Sequence, residues 1–174
     1  MSDVHIRTAA PGDIAAIARI YADAVKHGTA TFEVEAPDEA EMARRMRALV
    51  TSNYPYLVAE RSGVIAGYAY AGPYHLRPAY RWTVEDSIYL DPPFHGQGIG
   101  RLLMRHLLAD AEARGFRQMI ALVGDSTNTA SIALHAAAGF QMIGTLQSVG
   151  FKHGRWLDVV LMQRPLGSAN SSPP

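Results

Sequence analysis

The chain has 174 residues, a length that fits one domain with a well-buried core. Sixteen Lys and Arg balance sixteen Asp and Glu, so no net basic field points to nucleic acid. Cysteine is absent, which excludes disulfides, thiolate metal sites and a cysteine nucleophile, and no apolar run reaches the roughly 18 residues that cross a bilayer.

In chain order, Val4–Thr8 reads as a short strand. Asp13 is placed to cap a helix with the apolar stripe Ile14, Ile17, Tyr21, Ala24 and Val25. Pro37 suits the first turn of a second helix, with Met42, Met46, Leu49 and Val50 inward and Glu41, Arg44, Arg45 and Arg47 mostly outward. Tyr56–Arg61 and Val64–Ala71 are strands joined by a hairpin turn at Ser62-Gly63. A loop holding Pro73 and Pro78 leads to a strand at 82–90, rich in β-branched and aromatic residues. A glycine loop follows, then a helix to about Arg114, stopped by Gly115. Gln118–Val123 is a further strand, 128–138 a short helix ended by Gly139, and Phe140–Leu146 with Arg155–Gln163 a closing antiparallel pair. This order predicts an α/β (α+β) domain over 1–167. Its central sheet is mixed and mostly antiparallel, with helices on both faces, rather than doubly wound and parallel. The tail 168–174 lacks bulky apolar residues and is expected to be disordered. The opening residues lack the apolar core of a signal peptide, so a cytoplasmic protein is the expectation.

The glycine loop is His95-Gly96-Gln97-Gly98-Ile99-Gly100-Arg101. A strand, a glycine loop and a helix N-terminus bring free backbone N–H groups and the positive dipole end together, which suits a phosphorylated ligand. No Gly-Lys pair exists for a mononucleotide loop, and G-x-G-x-x-G would need glycine where Arg101 or Leu103 stands. The triplet by itself either cradles a phosphate or merely turns the chain.

Along the strand at 82–90, Trp82, Val84, Ile88 and Leu90 share one face, and Thr83, Glu85, Ser87 and Tyr89 the other. Glu85 is therefore a carboxylate inside an interior strand. Burial would raise its pKa and suit it to proton transfer, while pairing with Arg81 or exposure to water would leave it inert. Further on, Asp125, Ser126 and Asn128 can each cap the helix that follows. Capping needs one of them, so the surplus points to ligand contact. His135 on the Ala-rich helix reads either as a packed side chain or as a functional one.

Strand, His-Gly-Gln-Gly-Ile-Gly loop, helix, strand, Asn128, then Leu134-His135 and Gly139-Phe140 resemble the GNAT superfamily of acetyl-CoA-dependent N-acetyltransferases. The resemblance runs from Ile6 to about Leu166. Three narrower stretches, at 29–33, 80–89 and 149–158, are similar to the phosphinothricin and methionine sulfoximine acetyltransferase branch. The resemblance implies that the N–H groups of 96–101 cradle the CoA pyrophosphate. It implies that Ile88, Tyr89 and Leu90 bind the pantetheine arm like an added strand, with the Leu90 N–H near the thioester oxygen. Asn128 and Ser131 would hold the far side of that arm. His95 stands where the superfamily usually has Arg or Gln, and His135 where many members have the tyrosine that protonates the leaving thiolate.

An amine must lose a proton before attacking a thioester, and Glu85 is the candidate base, directly or through a water. On the acceptor side, His75, Leu76 and Arg77 match the branch's substrate-contacting segment. Arg77 or Arg81 could fork onto an acidic group, and Phe32 could wall the side-chain pocket. Solvent-facing arginines and a core phenylalanine are the competing readings. The leading expectation is acetylation of a small amino-acid analogue of the phosphinothricin or methionine sulfoximine type, with no metal. A protein α-amine or lysine acetyltransferase and a non-catalytic acyl-CoA sensor are the alternatives. The branch resemblance implies a homodimer.

Overall fold

The computed structural model of the chain describes residues 4–173. Seven strands form one sheet: β1 (Val4–Thr8), β2 (Tyr56–Arg61), β3 (Val64–Pro73), β4 (Thr83–Leu90), β5 (Gln118–Gly124), β6 (Gln141–Lys152) and β7 (Arg155–Pro165). Their spatial order is β1-β2-β3-β4-β5-β7-β6, antiparallel throughout except where β4 meets β5. The helices are α1 (Ile14–His27), α2 (Glu39–Thr51), α3 (Ile99–Ala113) and α4 (Thr129–Ala137).

The alternation along the strands divides the core in two. Ala69, Ala71, Val84 and Met119 pack with Leu103, Met104 and Leu107 of α3 on one face. On the other, Val58, Tyr68 and Tyr89 pack with Ile17 and Ile20 of α1 and with Met42 and Met46 of α2. Helices thus cover both faces, as the element order predicts. Ser62 and Gly63 turn with φ of 52° and 78°, the doubly positive pair of a type I′ hairpin. Gly115 and Gly139 end α3 and α4 with φ of 87° and 88°.

Several local expectations are corrected. Asp13 makes no capping bond into α1; its carboxylate accepts from Arg7 at 2.7 and 2.8 Å and from the Ala10 N–H at 2.8 Å. A buried acid beside a guanidinium has a stronger partner than a helix amide, and that partner holds its pKa down. Pro37 precedes α2; Asp38 is the N-cap and accepts from the Glu41 N–H at 2.8 Å. Met42 and Met46 face inward as expected, but Val50 lies one step round the helix from Leu49 and is exposed. β6 runs on to Lys152, because register shifts after Met142 and Leu146 interrupt the alternation that marks its first half. Within the stretch 168–174 the Ser171 N–H donates to the Ser168 carbonyl at 2.9 Å, and Arg117 donates to Ser168 and to Ala169 O.

Candidate active site

The site begins where the sheet comes apart. Asp91 donates to the Ala66 carbonyl at 2.9 Å, so the antiparallel alternation turns the backbone groups of Asp91 and Tyr89 toward β3. Those of Leu90 and Ile88 turn the other way, toward β5. β5, however, pairs with β4 only from Thr83 to Glu85. Beyond Glu85 the two strands splay, and the Ile88 and Leu90 backbone groups face a gap. Tyr89 therefore offers its backbone to β3 rather than to a ligand arm, and its ring packs edge-on to Tyr21 at 5.1 Å.

The gap opens into a cavity of about 1020 Å³ whose walls include Phe32, Glu85, Ile88, Leu90, Asn128, Ser131 and His135. At one end lies the glycine loop. Gly96 and Gly98 have φ of 72° and 81°, left-handed conformations that suit glycine, and Gly98 is the N-cap of α3. The first amides of α3 have no partner within the helix, which makes its N-terminus an anion site. Gly100 lies against Leu90 and Leu134, where a Cβ would sit 3.6 and 3.5 Å from their methyl groups. Of the predicted loop residues, His95 and Gly96 border the cavity. Ile99 and Gly100 are buried in the packing beneath it, and Gln97 is tied to Arg61 and to Pro93 O. Arg101 is exposed on the first turn of α3, along the border of a second hollow between α3 and α4. His95 donates through Nε2 to the Leu90 carbonyl at 3.1 Å, so it covers the last oxygen of the open β4 edge.

Glu85 is partly buried on the cavity wall, and no ion pair reaches it among the described residues. Arg81 lies over the Trp82 ring at 5.3 Å instead, which removes the inert pairing. Loss of water around Glu85, followed by the negative charge of Asp86, pushes its pKa up to about 7. A carboxylate poised there exchanges protons readily near neutrality.

Asp86 was not expected to matter. It lies on the Val84 and Ile88 face, its side chain is buried, and its Oδ2 meets His135 Nε2 at 3.0 Å. His135 Nδ1 donates to the Ser131 carbonyl at 2.7 Å. Burial, the largest influence, lowers the His135 pKa, but the Asp86 hydrogen bond and charge and the Ser131 carbonyl together raise it. Both ring nitrogens are thus committed inside the protein, leaving no free N–H for a leaving group. The sequence signal was available in combination: an acid on an inward strand position and a histidine on an apolar helix each require a buried partner.

Of the three competent caps, Asn128 caps α4, accepting from the Ser131 N–H at 3.2 Å. The surplus is explained within the protein. Asp125 accepts from Arg155 at 2.5 Å and from Thr127 at 2.7 Å, and Ser126 donates to Asp158 at 2.6 Å. Asn128 and Ser131 both border the cavity.

On the acceptor side, Phe32 borders the cavity, while His75, Leu76 and Arg77 do not. Leu76 is 90% exposed, and His75 packs against Tyr74 and Tyr80 at 4.2 and 4.9 Å. The prolines at 73 and 78 and this ring cluster carry the loop outward, away from this chain's own cavity. The cavity wall includes Asp23, Glu85 and Asp86 but no Lys or Arg.

The chain as a whole has known counterparts. The Acetyltransferase (GNAT) family model matches residues 16–140. A phosphinothricin N-acetyltransferase of Alcaligenes faecalis is 52% identical over 169 residues, covering 97% of this chain and 86% of that protein. The L-methionine sulfoximine/L-methionine sulfone acetyltransferase of Salmonella typhimurium is 39% identical, covering 92% of this chain and 94% of that protein. The crystal structure of a GNAT superfamily phosphinothricin acetyltransferase from Sinorhizobium meliloti, in complex with AcCoA, superposes with a TM-score of 0.96 at 46% identity. It covers 100% of this chain and 94% of that one. This chain belongs to the acetyltransferase (GNAT) family.

Proposed function

We propose that the chain transfers the acetyl group of acetyl-CoA directly to the amino group of a small amino-acid-like substrate, of the phosphinothricin or methionine sulfoximine/sulfone type. The observation that carries this reading is the shared cavity: Glu85, unpaired and poised near neutrality, stands on the wall onto which the open β4 edge faces. The residues present fit the cofactor. The Ile88 groups and the Leu90 N–H are free to pair with an amide-bearing arm, and the amides at the start of α3 suit its phosphates. Asn128, with its side-chain oxygen engaged in capping, has its NH₂ group left for the same arm.

Acetyl-CoA supplies an activated acyl group. Glu85 accepts the proton of the incoming ammonium, directly or through a water, so that the amine can attack. The Leu90 N–H points into the gap and is the donor for negative charge developing on the acyl oxygen. A thiol with a pKa of about 8.5 needs little acid assistance, and the engaged nitrogens of His135 argue that water protonates it. Holding both substrates in one cavity supplies the proximity.

The names of the relatives support the substrate class. The test is free-thiol release from acetyl-CoA with amino acids, their sulfone, sulfoximine and phosphinate analogues, and peptides. Release with the analogues supports the reading; release with peptides only overturns it, and cofactor binding without release favours a sensor. We further infer a homodimer, because Met142, Ile143, Leu146, Val149, Phe151 and Trp156 are exposed along the β6–β7 edge of the sheet. Light scattering at twice the monomer mass is the expected result.

A further inference from the structure

Segment 28–33 has no regular structure, yet Gly28, Thr29, Ala30, Thr31 and Phe32 form one wall of the cavity. An irregular loop keeps its shape only if outside groups satisfy its backbone. Here most of those groups come from the far end of β6 and the turn after it. Lys152, only 4% exposed, directs its Nζ to the carbonyls of Gly28 and Thr31 at 3.0 and 2.8 Å. His153 Nε2 donates to the same Gly28 carbonyl at 3.1 Å. A buried ammonium bound to main-chain carbonyls belongs to the scaffold, since removing it strands both oxygens.

Gly150, two residues earlier, has another function. A Cβ built there collides with the Phe32 ring at Cε2 and Cδ2. The ring therefore lies close against Gly150, in the space a side chain there would take. Gly124, at the end of β5, adds to this seat: a Cβ there would reach 3.3 Å from Phe32 Cε1 and collide with the Thr29 carbonyl. The two collisions differ in kind. At Gly150 the obstacle is the far end of a side chain that is partly exposed and can swing; at Gly124 it is main chain.

We propose that Gly150 and Lys152 are specificity-determining positioning residues, which fix segment 28–32 and so set, through Phe32, the size of the acceptor side of the cavity. Neither residue borders the cavity, so both act through the wall they hold. The inference rests on the acetyltransferase reading above and names what shapes its acceptor pocket.

The test uses the full chain and two variants, Gly150→Ala and Lys152→Met, each also placed in a Phe32→Ala background. Gly150→Ala pushes the ring toward the cavity, so the KM of the bulkiest accepted analogue rises on the order of tenfold relative to the smallest. Lys152→Met frees the segment and raises acceptor KM for all analogues. Both leave the KM of acetyl-CoA within about twofold, because the backbone edge of β4 is untouched. In the Phe32→Ala background the Gly150→Ala effect disappears, the non-additivity expected of groups in contact. Unchanged acceptor ranking in Gly150→Ala, unchanged acceptor KM in Lys152→Met, a parallel rise in acetyl-CoA KM, or a Gly150→Ala effect that survives loss of the ring would each overturn the proposal. Wild-type turnover with the analogue panel decides the parent reading separately. Amide hydrogen exchange across 28–33 decides the clamp whichever way turnover falls: faster exchange in Lys152→Met supports it, and unchanged exchange overturns it.

Discussion

The two ends of the cavity are built from different materials. The end proposed for the cofactor is backbone: the outward groups of Ile88 and Leu90, two left-handed glycines and the first amides of α3. The end proposed for the acceptor is side chains on an irregular segment, held by Lys152 from one direction and by Arg45, bonded to Glu33 at 2.6 Å, from another. Glu85 stands between them, on the last residue where β4 and β5 still pair. A backbone site tolerates changes of side chain as long as the chain path holds. A side-chain site can be re-cut for a new acceptor without disturbing the cofactor. On the proposed function, the difference puts cofactor identity in the path of the main chain and acceptor choice in a few replaceable contacts.

The largest expected effect comes from the residue both ends share. Glu85→Gln should lower kcat/KM by roughly 10²- to 10⁴-fold. Wild-type activity should climb with pH through about 7, as the carboxyl ionises, and the variant should lose that limb. Stability moves the opposite way. A carboxyl raised from its ordinary value to about 7 in the folded state contributes stability at low pH that fades as pH rises through about 7. The glutamine variant should therefore gain in Tm over the wild type as pH goes from 5 to 8, and a Tm difference independent of pH would contradict the burial of Glu85.

The backbone character of the cofactor end is tested next by Gly67→Ala. A Cβ there lies 2.7 Å from the Tyr89 carbonyl and inside the Leu90 side chain, so it forces β3 and β4 apart. A loss of about 1–3 kcal/mol in urea unfolding is expected, together with a raised KM for acetyl-CoA and no change of acceptor ranking. Asn128→Ala is smaller. It removes the α4 cap at about 1 kcal/mol and should weaken acetyl-CoA binding measured by calorimetry. Arg77→Ala sharpens the contrast from the other side. Its side chain is exposed and outside this chain's cavity, so unfolding should shift by no more than about 0.5 kcal/mol.

How much could be read in advance follows the same division. Ser62-Gly63, Gly98, Gly115 and Gly139 each mark a place where the chain needs a left-handed residue, and such needs are local. The strand at 83–90 showed its alternation because one repeat governs both faces. The splay of β4 from β5 was not visible, since it depends on where two distant segments stop pairing. Asp125 and Ser126 read as free caps because Arg155 and Asp158, which take them, lie some thirty residues away. His75, Leu76 and Arg77 stood close to Glu85 in sequence, yet the loop of Pro73 and Pro78 carries them outward. Lys152 gave no local sign at all: a lysine at a strand end is ordinarily solvated, and its two carbonyl partners are more than a hundred residues earlier.

The short β4–β5 pairing has a mechanical consequence as well. Among the described residues, three residue pairs and the Trp82 carbonyl, which accepts from the Arg117 and Gln118 N–H groups at 2.8 and 3.3 Å, form the main-chain seam between the β1–β4 half of the sheet and the β5–β7 half. On the proposed function, an amide-bearing arm lying along Ile88 and Leu90 would extend the seam from the β4 side toward β5, making the ligand a stitch in the sheet. Cofactor at a hundred times its Kd should add about 2.7 kcal/mol to unfolding. Hydrogen exchange should slow on both banks of the seam at once, tying the rigidity of one half of the molecule to that of the other.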